Sequence, residues 1–359
     1  MKTKFTRRMA LSGLGSWAAA SPLIAQTEAP KLEGEPKGRL TPLQEAANVF
    51  EIESVAERTL SAAVYAAIAG GDRQAFDRIL LRPRRFVNVE RLDLTVDLLG
   101  QKMFTPILVG PAERQQDFHP EGELAMVRGA SKAQAVVVIS SRSSQPIEKI
   151  AAEAKTPFWY QVDPEPDMAP VLAGVQRAVK AGCKVVCVTV AAPYRPAAGA
   201  ANVSANMSGM AFDQVRRAAN VPVVLKGIMR AEDAKAAVDR GAQGIIVSNG
   251  VSNNRGRMAP GFASPIELLA SVVDAVGGKA PVMVDGGFRR GTDVVKALAF
   301  GARAVLVTRP ALWGLAAYGS DGVDTVMKML QSETARTMGN CCKVNVAALD
   351  RSLLKLVRF

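Results

Sequence analysis

The chain has 359 residues, 48% hydrophobic and 5% aromatic, with 30 glycines and 20 prolines, a composition that excludes fibrous and disordered classes and fits a globular α/β protein. Its formal charge is +12, and Lys2, Lys4, Arg7 and Arg8 supply four of those charges. No basic run is interleaved with aromatics, so no nucleic-acid partner is expected; the balance favours an anionic cofactor or substrate. The only histidine is His119 and no CxxC occurs among Cys183, Cys187, Cys341 and Cys342. That removes a multi-histidine metal site and makes a zinc site a poor reading, so no metal is expected. Cys183 and Cys187 read as small buried hydrophobes.

Residues 1–25 read as an export signal, with a basic start, a modest apolar stretch from Met9 to Ala25 and small residues at its end. Thr6-Arg7-Arg8-Met9-Ala10-Leu11 resembles a twin-arginine signal, which implies export machinery as a partner and a periplasmic or extracellular location. Gly13, Gly15 and Pro22 argue against a stable membrane span. Residues 26–44 read as a linker. One helical pattern is predicted from about Leu43 to Ala69, ended by Gly70-Gly71-Asp72. Leu92–Leu99 with Gly100-Gln101-Lys102 reads as a β-hairpin.

From residue 106 a regular beat begins. Apolar runs recur at 106–112, 135–141, 157–163, 184–190, 222–227, 244–250, 280–287 and 304–310. Helical patterns separate them, among them Glu121–Lys132, Ile147–Ala154, Ala231–Asp239 and Pro265–Val276. Near-continuous apolar runs are what strands buried on both faces show. Eight such units predict a (β/α)₈ barrel spanning residues 45–359 behind an N-terminal helical segment, in preference to a doubly wound sheet. Chemistry then belongs where the strands end: Pro111-Ala112-Glu113, Ser140-Ser141-Arg142, Gln161, Thr189, Lys226, Ser248-Asn249-Gly250, Asp285-Gly286-Gly287 and Thr308-Arg309. The loops after the last two strands combine glycines with arginines, the pattern of a phosphate cradle.

Several ordered segments carry a family resemblance: FDRILLRPR (76–84), HPEGELA (119–125), PVVLKGI (222–228), GIIVSN (244–249) and DGGFRRGTDVVKALAFGARAVLV with RPALWGLA. Over about residues 65–340 the chain resembles the FMN-dependent 2-hydroxy acid oxidases and dehydrogenases, such as glycolate and lactate oxidase. The resemblance implies FMN as cofactor and a small-molecule substrate, as a 2-hydroxy acid is. It implies that Pro111 and Ala112 line the flavin ring, while Ser141, Gln161 and Thr189 bond its polar edge. Lys226 would face the N1–C2=O side, where a cation favours reduction. Ser248 would contact the ribityl region, and Asp285, Gly286, Gly287, Arg289, Thr308 and Arg309 would hold ribityl and phosphate. The family usually has glycine at Thr308. It also implies a homo-oligomer.

The chain departs from that pattern where the family's chemistry is done. The family's SNHGGRQ is here Ser248-Asn249-Gly250-Val251, with glycine at the histidine that takes the substrate proton and about three residues inserted. Asp163 stands where a tyrosine is usual, Thr189-Val190-Ala191-Ala192-Pro193 replaces TVDTP, and Ala198 replaces an arginine. Arg255 or Arg257 is left to hold a substrate carboxylate, and Asp163 or Glu113 to act as acid or base. Tyr65 matches a family tyrosine near the substrate, and His119 falls outside the catalytic set. The leading expectation is a flavin oxidoreductase with altered substrate or proton transfer, with Lys226 and Arg257 as catalytic candidates. The alternative is a catalytically silent flavin- or ligand-binding barrel.

Overall fold

The computed structural model describes residues 40–71, 73–85, 89–163, 165, 167–190, 208–249 and 263–357. The chain divides into Met1–Leu40 and Thr41–Phe359, and the fold lies in the second unit. The signal reading at 1–25, most of the 26–44 linker, and Gly250, Ala198, Arg255 and Arg257 lie outside the described residues.

All eight predicted runs are strands of one closed parallel barrel. They are β1 (Ile107–Val109), β2 (Val137–Ser140), β3 (Phe158–Val162), β4 (Val186–Thr189), β5 (Val223–Ile228), β6 (Gly244–Val247), β7 (Val282–Asp285) and β8 (Ala304–Val307). Closure is made by β8 on β1, with Val305, Leu306 and Val307 opposite Ile107, Leu108 and Val109. Each strand is followed by a helix: α1 (Glu123–Lys132), α2 (Ile147–Glu153), α3 (Met168–Lys180), α4 (Gly209–Ala219), α5 (Ala231–Asp239), α6 (Pro265–Val276), α7 (Gly291–Ala299) and α8 (Arg309–Asn340). Local chemistry sets the ends of α6: Ser264 and Glu267 form a capping box, proline opens the first turn, and Gly277 closes the helix at φ 59°. Helix α8 bends where Tyr318 and Gly319 leave helical geometry, Gly319 at φ 59°.

The hairpin is shorter than predicted. Val96–Leu98 pairs with Gln101–Met103 around Leu99 and Gly100, both left-handed at φ 52° and 76°. Consecutive left-handed residues match the twist of a two-residue hairpin, although leucine is an unusual choice there. Val96, Leu98 and Met103 pack beneath the barrel's inward side chains, including Leu108, Trp159 and Met283, and close its floor.

The single helix predicted from Leu43 to Ala69 is broken. Val49–Thr59 is helical, capped by Asn48, and buries Val49, Ile52, Val55 and Ala56. Leu60 then turns extended, and Ser61 starts a separate turn at Ala62–Tyr65 by accepting from the Val64 N–H. A serine side chain that bonds the backbone ahead of it begins a new helix rather than continuing the old one. No helix among the described residues is long and apolar enough to cross a membrane.

Candidate functional site

Side chains alternate along a strand, so one parity faces the barrel axis. The buried residues of the interior are Leu108, Val138, Trp159, Cys187, Val224, Ile246, Met283 and Leu306. Counting on by two reaches Gly110, Ser140, Gln161, Thr189, Lys226, Ser248, Asp285 and Thr308. The polar residues at the strand ends are therefore the next layer of the same stack. A cleft above them is lined by Pro111, Ala112, Glu113, Lys226, Ser248, Asp285, Gly286, Gly287, Arg289, Thr308 and Arg309, all singled out from sequence, together with Ala67 and Ile68, while Gln161 and Thr189 are not among its lining residues.

Lys226 is 5% exposed. Its Nζ lies 2.8 Å from Asp285 Oδ2 and donates to Ser248 Oγ at 2.9 Å. Burial disfavours its charge, but the charge and hydrogen bond of Asp285 outweigh that and raise its pKa. Asp285, expected to hold the ribityl chain, here holds the lysine. The amide of Gln161 donates to Asp163 Oδ1 at 2.6 Å and to Thr189 Oγ1 at 2.7 Å. Asp163 is 6% exposed. It lies 3.4 Å from Arg142 Nε, and Arg142 also approaches Glu113 at 3.6 Å.

The arginine end is built differently. Arg289 is 3% exposed and makes no ion pair among the described residues. It donates to Phe288 O at 2.8 Å and Gly70 O at 2.6 Å, and its guanidinium lies 4.5 Å over the Trp313 ring. Arg309 Nη1 donates to the same Gly70 O at 3.0 Å. Burial, then the like charge of Arg309, pushes Arg289 down to about 9; burial also lowers Arg309. Gly286 and Gly287 turn at φ 95° and 81°, and a Cβ at Gly71 would lie 2.6 Å from Arg289 Nη2. A buried guanidinium without an acidic partner among the described residues, beside a second, half-buried one, favours an anion. Arg290 turns away to Glu333 at 2.9 Å.

Three expectations change. Ser141 is exposed and absent from the cleft, because the inward position on β2 belongs to buried Ser140. A one-residue slip moves a side chain to the opposite face, and the parity of Trp159, Gln161 and Asp163 on the next strand carries the signal that locates Ser140. Thr308 accepts no hydrogen bond from the helix start it caps; its hydroxyl lies against Gly110, where any Cβ would collide with it. Tyr65 donates to Glu53 Oε1 at 3.3 Å, and burial followed by the charge of Glu53 raises it to about 12. Arg257, the other catalytic candidate, lies outside the described residues. Glu53 and Gly70 were not legible as site residues.

The FMN-dependent dehydrogenase model matches residues 56–200 and 197–356. An L-lactate oxidase of Nostoc sp. is 35% identical over 371 residues, covering 88% of this chain and all of that protein. A 4-hydroxymandelate oxidase of Amycolatopsis orientalis is 35% identical over 355 residues, covering 86% of this chain and 98% of the relative. A crystal structure of mandelate oxidase with (S)-2-phenylpropionate superposes with a TM-score of 0.80 at 36% identity, covering 88% of this chain and all of that one. A (β/α)₈ barrel with paired arginines after β7 and β8 and a buried lysine on β5 thus defines a flavin-dependent oxidoreductase. The chain belongs to the FMN-dependent dehydrogenase family, and its cofactor is FMN. The residues present fit that group: Arg289 and Arg309 would hold its phosphate, and Lys226 and Gln161 the polar edge of its ring.

Proposed function

We propose that this protein oxidises a small 2-hydroxy acid or a close relative of one, with Asp163 taking the proton that a histidine takes elsewhere in the family. The observation that carries the proposal is Asp163 itself, a buried carboxylate at the inward end of β3, fixed by Gln161. A base must lie within hydrogen-bond reach of the proton it removes. The chain's one histidine is engaged elsewhere: His119 accepts from the Glu121 N–H at 3.2 Å and packs beside Gly319 of α8. Bound FMN would supply the acceptor for the substrate's α-hydrogen, which leaves with both electrons of its C–H bond as a hydride. Lys226 places positive charge where reduction builds negative charge, and Asp163 receives the substrate's hydroxyl proton. Arg257 is assigned to the substrate carboxylate on its chemistry.

Anaerobic mixing of the FMN-loaded protein with a panel of 2-hydroxy acids is the test. Bleaching of the flavin by one of them is expected, and Asp163→Asn should slow it about 100-fold or more while FMN stays bound. Bleaching at an unchanged rate in Asp163→Asn would remove the proton-transfer role. A panel that leaves the flavin oxidised would point to a flavin-binding protein without this activity.

We also propose export by the twin-arginine route with cleavage after Ala25, and assembly as a homo-oligomer. The basic start and small-residue end of residues 1–25 support the first, and the family's habit supports the second. Mass spectrometry of the exported protein and light scattering of the purified one are the checks.

A further inference from the structure

Buried arginines need compensating charge, and Arg289 makes no ion pair with an acid among the described residues. One acid is linked to its side chain through the backbone of Gly70. Glu53, on the helix Val49–Thr59, accepts from the Gly70 N–H at 3.0 Å through Oε1. The carbonyl of the same residue, Gly70 O, accepts from Arg289 at 2.6 Å and Arg309 at 3.0 Å. The segment is held in place independently: Trp313 Nε1 donates to Ile68 O at 2.9 Å, Gly70 turns at φ 58°, and a side chain at Gly71 would strike both guanidiniums. Gly70 thus stands between the carboxylate and the two guanidiniums, its N–H turned to the one and its C=O, on the next peptide group, to the others.

We propose that Glu53 is a resident counter-charge of the phosphate-binding arginines, fixed against them by Gly70, and that it stabilises the cofactor-free protein at the expense of FMN affinity. This rests on the assignment of Arg289 and Arg309 to the FMN phosphate. When the phosphate arrives it brings its own negative charge to the same guanidiniums. Glu53 is then a like charge close behind them, and like charges in a partly desolvated site repel. Glu53 is a positioning residue: it reaches the phosphate site through Gly70 and the arginines.

Glu53→Gln separates charge from geometry, because a glutamine oxygen still accepts from the Gly70 N–H and from Tyr65. The cofactor-free variant is expected to unfold at a lower temperature than the wild type. Its dissociation constant for FMN, from quenching of flavin fluorescence, is expected to fall about threefold to tenfold. Its affinity for riboflavin, which lacks the phosphate, is expected to stay unchanged. Weaker binding of FMN and riboflavin alike would mean a merely structural role and would overturn the proposal, as would a variant that fails to fold even with FMN present. Equal affinity of the wild type for FMN and riboflavin would instead sink the phosphate assignment beneath it.

Discussion

Lys226 and Asp285 meet 2.8 Å apart across β6, joining the ends of β5 and β7 beneath the cleft. Ser248, just past the end of the intervening strand, completes the arrangement. A buried pair of this kind adds little over an apolar pair, but breaking it leaves an uncompensated charge. Lys226→Met should therefore destabilise the cofactor-free protein by about 3 to 5 kcal/mol in denaturant unfolding, and adding Asp285→Asn should recover part of the loss. In the loaded protein the same substitution should lower the flavin reduction potential; an unchanged potential would remove Lys226 from the ring edge. The pH dependence has a definite sign. Because the folded-state pKa of Lys226 stands above its ordinary 10.5, the pair's contribution is complete below that value and is lost as pH rises through the folded one.

The arginine pair yields a second expectation. Arg289 is held near 9 by burial, yet a guanidinium stays protonated at neutral pH. The folded state thus carries a cost at pH 7 that would ease only as pH rises above the depressed value. An anion relieves the same cost at neutral pH. Inorganic phosphate should raise the melting temperature of the cofactor-free protein, by about 1.4 kcal/mol of stability at ten times its dissociation constant. Arg289→Met should abolish the effect and weaken FMN binding about 10- to 100-fold.

Gly110 and Thr308 form a matched pair inside the barrel. Gly110→Ala would drive a methyl group into Thr308 Oγ1 and should cost about 1 to 3 kcal/mol. Thr308→Ala in the same chain removes the obstructing hydroxyl and should restore most of that loss, read by denaturant unfolding.

Burial pushes the Cys183 and Cys187 thiols up to about 12 and raises that of Cys341. Only the thiolate reacts. Iodoacetamide at pH 8 should therefore label Cys342 of the native protein, and all four cysteines after unfolding, as read by peptide mass spectrometry.

The barrel was legible because its strands are buried on both faces, which writes each as a short apolar run ending in a polar residue. The cleft was legible in part for the same reason: Lys226 and Asp285, which line it, each end such a run, whereas Gln161 and Thr189 end runs without lining it. Ser141 was misread because two serines are adjacent and only strand parity separates them. The helix broken at Leu60 and Ser61 was hidden because both halves keep an apolar face. Glu53 was not legible at all. Its partner Gly70 lies 17 residues away and the arginines beyond it 219 and 239 residues from Gly70, and no local pattern reports contacts made only by folding.

The hairpin beneath the barrel has a kinetic consequence. With Val96, Leu98 and Met103 stoppering one end, substrate and oxidant would both approach a ring bound in the strand-end cleft from the other side. Reductant and oxidant then compete for one doorway and must take turns. Steady-state rates measured against both should accordingly give parallel double-reciprocal lines, the signature of alternating visits.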